Sequence, residues 1–185
     1  MLEKKKLNVK DISLIALFAA VMAVCAWLTF PVSPVPVTLQ TFGVFLTLLL
    51  LGGRNGTFSI LIYILLGLAG APVFSGFKGG PSALLGPTGG YITGFIFIGL
   101  IFLLCEKLIS DSLTAKTVSL LIGLAVCYVF GTLWFTFVFN GEEKVTFYSA
   151  LSMCVLPFII PDLLKLIAAV LLSKALKPVL SKSVR

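Results

Sequence analysis

Six stretches of apolar residues dominate the chain and alternate with polar or glycine-rich segments. They cover residues 12–30, 41–51, 57–68, 91–108, 116–139 and 152–172. A membrane-spanning helix needs about 20 such residues, so four of the stretches are long enough for a span. The second and third are short, and we expect them to be tilted, irregular or extended into the flanking loops. Irregular backbone at membrane depth is tolerated where it lines protein or a cavity.

The composition supports a membrane protein. Of 185 residues, 59% are hydrophobic and 11% are charged, whereas a soluble domain carries about 25% charged residues. We therefore expect a single integral membrane domain over residues 1–185, folded as an all-α bundle of six transmembrane helices in the lipid bilayer. The basic start resembles that of a signal peptide, but no small-residue cleavage site follows it, so we expect the first helix to be retained.

The distribution of basic residues predicts the topology. The net charge is +7, and the basic side chains flank the apolar stretches, so the positive-inside rule explains them better than a nucleic-acid partner. With both termini cytoplasmic, eleven basic residues lie inside: Lys4, Lys5, Lys6, Lys10, Arg54, Lys107, Lys116, Lys174, Lys177, Lys182 and Arg185. Only Lys78 and Lys144 lie in outer loops.

Asp162 and Lys165 are two charges inside the last apolar stretch. Their spacing of three places them on one face of a helix. A charge at mid-bilayer costs about 2.5–3.5 kcal/mol, so intramembrane charges are rare and usually functional. The alternatives are a structural ion pair, or a lysine that extends its ammonium group to the lipid headgroups.

The first predicted outer loop offers polar groups at the start of the second apolar stretch. Three prolines between residues 31 and 36 stiffen the backbone, and Thr38, Gln40 and Thr41 follow. The Gln40 amide can both donate and accept hydrogen bonds, which suits a neutral polar ligand. An ordinary helix-entry segment would have the same composition.

The second predicted outer loop, residues 70–91, combines glycines with the aromatic residues Phe74, Phe77 and Tyr91. Glycines permit close approach of the backbone to a ligand, so the loop is predicted to be a ligand lid, with a simple connector as the alternative. Residues 86–90 lack the Gly-Lys-Ser/Thr ending of a phosphate loop. No Walker motif occurs anywhere, so uphill transport would need an ion gradient or a separate ATPase.

Small residues recur at helical spacing in the first apolar stretch. They form the pairs Ala16/Ala20 and Ala19/Ala23, which allow another helix to approach closely, either within this chain or from a partner. The same spacing at Gly52/Gly56 and Gly90/Gly94 predicts internal packing or turns. The chain has no histidine, and its four cysteines lack CxxC spacing, so we expect no disulfide, metal site or cofactor.

Four motifs in order along the chain resemble the BioY family. They are Pro-Val-Pro-Val-Thr-Leu-Gln at 34–40, Gly-Ala-Pro-Val-Phe at 70–74, Leu-Gly-Pro-Thr-Gly-Gly-Tyr at 85–91 and Ile-Pro-Asp-Leu-Leu-Lys at 160–165. These proteins are the biotin-specific S components of energy-coupling-factor (ECF) vitamin transporters in prokaryotic cell membranes. The resemblance implies an outward-facing biotin pocket capped by the first and third inter-helix loops. It also implies that the alanine pairs face a transmembrane coupling subunit bearing two cytosolic ATPases, and that the whole S component topples during transport.

The resemblance and the residue chemistry together predict a binding site and no enzymatic activity. The predicted substrate-binding residues are Thr38, Gln40, Phe74, Lys78, Gly80, Tyr91, Asp162 and Lys165. Asp162 would accept ureido N–H groups of biotin and Lys165 would neutralise its carboxylate, with the reverse orientation left open. Gln40 and Thr38 would bind the ureido oxygen, while Phe74 and Tyr91 would cover the ring.

The chain departs from some members of the family at two positions. Those members have Asn where this chain has Lys78, and Arg where it has Ile92. Lys165, together with Lys78, would then have to hold the anion. An S component for a different small vitamin is the main alternative. A membrane-embedded enzyme using Asp162 is disfavoured, because no histidine, second suitable carboxylate or metal cluster accompanies that residue.

Overall fold

The protein is an all-helical bundle. The computed structural model of the chain describes residues 7–30, 37–138 and 146–183. Seven α-helices occur in this part: α1 Val9–Trp27, α2 Gln40–Leu68, α3 Pro81–Leu85, α4 Gly89–Leu108, α5 Leu113–Val138, α6 Phe147–Cys154 and α7 Leu156–Ser183. A 3-10 turn, Ser75–Phe77, lies between α2 and α3. The strands β1 Thr29–Phe30 and β2 Val37–Thr38 pair antiparallel between α1 and α2.

Five helices of the described part are long and apolar enough to cross a membrane. These helices are α1, α2, α4, α5 and α7, with the span of α7 given as Leu156–Pro178. The prediction of an all-α membrane protein is therefore confirmed. The second and third apolar stretches both fall within α2.

The long helix α2 is interrupted and folds back on itself. Gly52 has φ 77° and ψ 172°, a conformation that only glycine adopts without strain. The side-chain amide of Gln40 donates to the hydroxyl of Tyr63 at 2.5 Å, although 23 residues of straight helix would separate them by about 34 Å. The halves on either side of Gly52 are therefore antiparallel, and each is a short helix. This reversal explains the two short apolar stretches.

The α4–α5 interface depends on close approach of the two backbones. A Cβ at Gly94 would lie 2.8 Å from the sulfur of Cys127, and one at Gly123 would lie 2.9 Å from Cα of Ile98. Neither distance leaves room for a side chain. The predicted packing role of the glycine pair that includes Gly94 is confirmed, and that of Gly52 as a turn is confirmed as well.

A polar cluster joins helix ends on one side of the bundle. Glu106, near the end of α4, accepts a 2.7 Å hydrogen bond from the backbone N–H of Gly53, directly after the reversal in α2. Lys116, near the start of α5, pairs with Glu106 at 3.3 Å and also with Asp111. The hydrogen bond from Lys116 lowers the pKa of the Asp111 carboxyl. This cluster satisfies an amide that the helix break exposes.

Several residues used in the topology prediction lie outside the described part of the chain. These are Lys4, Lys5, Lys6, Lys144, Arg185 and the side chain of Lys182. The three prolines of the first predicted outer loop also lie outside it.

Candidate functional site

Asp162 and Lys165 form a buried ion pair in the first half of α7. Asp162 is 2% exposed and Lys165 is 8% exposed. The ammonium nitrogen of Lys165 lies 2.6 Å from Oδ1 of Asp162. The two residues share one face of the helix, as their spacing predicted. Because neither charge reaches solvent, both must be satisfied by neighbouring groups.

Two hydroxyl groups from other helices complete the surroundings of Asp162. Thr41, in the first turn of α2, donates to Oδ1 at 2.8 Å. Tyr128, in the middle of α5, donates to Oδ2 at 2.5 Å. Lys165 also donates to the Thr41 hydroxyl at 3.3 Å. One carboxylate thus links α2, α5 and α7.

Sequence reasoning missed Tyr128. The available signal was a hydroxyl-bearing side chain in the middle of the apolar α5, but tyrosine is common in membrane helices. The sequence showed Thr41 as a polar residue near the start of the second apolar stretch, but it did not predict the contact with Asp162. Helix rotation decides which hydroxyls face Asp162, and that rotation cannot be read from one sequence.

The described contacts leave one donor and one acceptor position on the ion pair. An ionised carboxylate has about four acceptor positions and an ammonium group has three donors. Asp162 accepts three hydrogen bonds, and Lys165 uses two of its donors. The pair therefore retains one donor position and one acceptor position and carries no net charge. Such a group suits a neutral polar ligand better than an anion.

A second polar network lies at the start of α2. The amide of Gln40 donates to Tyr63 Oη, and that hydroxyl donates to the backbone oxygen of Val73 at 3.2 Å. The Thr38 hydroxyl accepts from the backbone N–H of Gln40 at 3.2 Å. Gln40 thus stands next to Thr41 in sequence and contacts the loop after α2 through Tyr63. On this segment the contact with the ion pair is made by Thr41, and Gln40 contacts Tyr63.

The loop after α2 carries three more of the predicted residues. Phe74 is 1% exposed and packs edge-on against Tyr63, with ring centroids 5.5 Å apart. Lys78 is exposed, and its backbone oxygen accepts from the N–H of Phe74 at 3.0 Å. Gly80 has φ 86° and donates its N–H to the oxygen of Gly67 at 2.7 Å. In this conformation the Phe74 ring packs between the loop and α2, and neither face of the ring is exposed to a ligand.

The same loop is attached to the end of α1. The indole N–H of Trp27 donates to the oxygen of Pro72 at 2.8 Å. The Trp27 ring also stacks on Phe77 with centroids 5.1 Å apart, and the hydroxyls of Thr29 and Ser75 lie 3.2 Å apart. The loop is therefore held in an ordered position over this end of the bundle.

The side chains of Tyr91 and Ile92 lie in different environments. The Tyr91 hydroxyl lies 3.2 Å from that of Thr132, and its ring is half-buried against α5 and α6. Ile92 is buried in the main core, so the position after Tyr91 points into the bundle. Tyr91 therefore packs against α5, the helix that carries Tyr128.

Lys165 also lines a groove between the start of α2 and α7. The groove has a volume of about 330 Å³ and is lined by Leu39, Phe42, Leu164, Lys165 and Ala168. Small-molecule sites have volumes of about 300–1,000 Å³ and combine apolar walls with a few polar groups. The groove thus places an apolar surface next to the polar pair.

The alanines of α1 divide between two faces. Ala16 and Ala20 are exposed, whereas Ala19 and Ala23 are buried in the core of this chain. Only Ala16 and Ala20 of the predicted partner interface are therefore free to contact another subunit in this conformation. For Ala19 and Ala23, packing within the chain is the observed arrangement.

The burial of the ion pair predicts non-additive effects on stability. Replacing Lys165 by Met leaves the carboxylate of Asp162 without its counter-charge, and we expect a loss of about 3–5 kcal/mol in the free energy of unfolding. The double variant Asp162→Asn/Lys165→Met should recover most of that loss, because it removes both charges. Unfolding in detergent measures both, with Lys174→Met, an exposed lysine on the same helix, as control. A double variant less stable than Lys165→Met would contradict the prediction.

Comparison with known proteins identifies the family. The model of the BioY family matches residues 3–182. A protein named biotin transporter BioY from Thermotoga maritima is 41% identical over 162 residues, covering 87% of this chain and 92% of that protein. A probable biotin transporter BioY from Pyrococcus horikoshii is 40% identical over 171 residues, covering 92% and 98%.

A solved structure agrees with these relatives. The crystal structure of the S-component for biotin from an ECF-type ABC transporter superposes with a TM-score of 0.79 at 29% identity, covering 96% of this chain and 95% of that one. The helical arrangement and the sequence thus lead to the same family. The chain belongs to the BioY family.

Proposed function

We propose that this chain is the biotin-binding S component of an ECF-type ABC importer in a prokaryotic cytoplasmic membrane. The observation that carries the proposal is the buried Asp162–Lys165 pair, with Thr41 and Tyr128 around it. Family membership supports biotin as the ligand, because relatives matched over most of their length are named biotin transporters. The subunit binds its substrate without changing it chemically.

The chemistry of the pair favours one orientation of the ligand. Biotin carries a ureido group, in which an N–H donor and a carbonyl acceptor stand side by side, and a carboxylate on a flexible chain. Asp162 can accept the N–H while Lys165 donates to the carbonyl. Because Asp162 already neutralises Lys165, we place the ureido group here and the carboxylate near the exposed Lys78. The ureido N–H thus stays at Asp162, as the sequence predicted, whereas the carboxylate is placed at Lys78 instead of Lys165.

The remaining predicted residues would complete the pocket. Gln40 and Thr38 lie close in sequence to Thr41, which contacts the pair, and would bind the ureido group or bridging water. Tyr91 would cover one side of the ring system. Phe74 and Gly80 would position the loop without contacting the ligand. Phe74 packs the loop against α2, and the positive φ of Gly80 sets the path of its backbone.

Asp162→Asn should weaken biotin binding strongly. The amide cannot form the charge-assisted hydrogen bond to a ureido N–H, so we expect a loss of about 10- to 100-fold in affinity. Titration calorimetry on the purified chain in detergent measures it, with Asp111→Asn as the control because Asp111 is exposed in the α4–α5 connection. Unchanged affinity in Asp162→Asn would refute the site, and no binding to folded wild-type protein would refute the ligand.

Lys78→Gln should affect only ligands that carry the carboxylate. We expect biotin to bind about twofold to fivefold more weakly, the effect of losing an exposed ion pair, while the amide of biotin should bind equally well to both proteins. Lys174→Gln provides an exposed lysine control on α7. Equal losses for biotin and its amide would show that Lys78 does not contact the carboxylate.

We further propose six membrane crossings with both termini in the cytoplasm. In this topology α1, α4, α5 and α7 each cross once, and the two halves of α2 cross in opposite directions. The halves are short for a bilayer about 30 Å thick, but α1, α4 and α7 pack around them. Irregular backbone at their ends is then covered by protein rather than by lipid.

The same proposal includes partner subunits. Because the sequence holds no Walker motif, the energy for uphill transport must come from elsewhere. We propose a transmembrane coupling subunit that carries two cytosolic ATPases, docking against the exposed Ala16 and Ala20 of α1. The whole chain would then topple in the membrane to release biotin inside.

Ala20→Leu should impair assembly without impairing binding. A larger side chain at a close helix contact prevents the approach of the coupling subunit, so we expect at least a tenfold loss in co-purification with that subunit. Biotin affinity of the isolated chain should stay the same. Ala125→Leu, at an exposed alanine of α5, is the matched control, and normal co-purification of Ala20→Leu would contradict the assigned face.

A further inference from the structure

Tyr128 connects two helices that otherwise stand apart. α7 packs chiefly on α2, and α5 chiefly on α4. Between α5 and α7 lies an apolar groove of about 330 Å³, lined from the two sides by Thr117, Leu121, Leu163, Ile167 and Leu171, among others. The hydrogen bond from Tyr128 to Asp162 spans the two helices. It is the one side-chain hydrogen bond between α5 and α7 in the described residues.

The two oxygens of Asp162 are used differently. Oδ1 accepts from Lys165 at 2.6 Å and from Thr41 at 2.8 Å, which fills its acceptor positions. Oδ2 accepts only from Tyr128 within the described chain, at 2.5 Å. The acceptor position that remains for a ligand is therefore on the oxygen that Tyr128 holds.

A carboxylate of this kind needs such a contact to keep its orientation. The torsion of an aspartate carboxylate about its last bond is broad and has no sharp staggered minimum. Hydrogen bonds to a charged acceptor are short and strong, so a donor on a rigid ring can fix the plane of the carboxylate. Lys165 and Thr41 hold one oxygen, and Tyr128 holds the other.

We propose that Tyr128 is a positioning residue for substrate recognition. Its hydroxyl, on α5, fixes the carboxylate of Asp162 on α7, so that the free acceptor position on Oδ2 points at a ligand N–H group. The inference rests on the proposed function, since it assumes a ligand with a ureido-type N–H donor at Asp162. This role makes the selectivity for that donor depend on a residue of α5, a helix whose one hydrogen bond to the ion pair in the described part of the chain is that of Tyr128.

The test combines a hydroxyl deletion with an altered ligand. Tyr128→Phe keeps the ring and removes the donor, and we expect biotin affinity to fall about tenfold. A biotin derivative methylated on the ureido nitrogen that faces Asp162 cannot donate there, so the same substitution should change its affinity less than twofold. Both singly methylated isomers are measured, and one of them should show this insensitivity. Ser119→Ala removes a buried hydroxyl from the same helix and should leave both affinities unchanged.

The possible outcomes separate the inference from the proposed function. Equal losses for biotin and for both methylated isomers would overturn the positioning role, because a general structural effect does not distinguish the ligands. Unchanged biotin affinity in Tyr128→Phe would overturn it too. If wild-type protein binds no biotin, the proposed function fails first.

A second measurement tests the contact without any ligand. The chain has three aspartates, Asp11, Asp111 and Asp162, so selective carbon-13 labelling of their carboxyl groups gives three signals. Tyr128→Phe should shift one of them, the signal that is lost in Asp162→Asn. Failure of that signal to move would show that Tyr128 does not hold the carboxylate, and would overturn the inference whatever the binding data.

Discussion

The carboxylate of Asp162 is the group on which the arrangement of the bundle depends. An ionised side chain inside an apolar bundle is stable only if a counter-charge and hydrogen-bond donors surround it. Lys165 supplies the charge from the same helix, and Thr41 and Tyr128 supply donors from α2 and α5. Three helices must therefore hold fixed positions around one residue. Burying charges in an apolar bundle costs free energy, and this cost is the physical reason to assign the site a function.

The reversal in α2 is what brings the first of those donors into place. Because the chain turns back at Gly52, the start of α2 and the loop after it lie at the same end of the bundle, where Gln40 contacts Tyr63. Thr41 then faces α7, and the loop after α2 lies close to the same region. Glu106 satisfies the amide after the break. A straight helix would place Thr41 and the loop at opposite ends.

The sequence allowed three features to be predicted: the class, the placement of Asp162 and Lys165 on one helix face, and the irregular second and third segments. Asp162 and Lys165 stand out because two charges interrupt an apolar stretch at helical spacing, and short apolar stretches indicate broken spans. The role of Tyr128 was not predictable, because a tyrosine in an apolar stretch has many explanations. Nor did the spacing of the four alanines show that Ala19 and Ala23 face inward while Ala16 and Ala20 face outward. Both depend on how each helix is rotated about its axis, which only the packed bundle defines.

The most direct test of the central claim is a crystal structure of the full chain with biotin bound. We expect the ureido group within hydrogen-bond distance of both Asp162 and Lys165, and the carboxylate directed to the loop that carries Lys78. Biotin bound elsewhere, with the Asp162–Lys165 pair making the same contacts as before and none to the ligand, would contradict it.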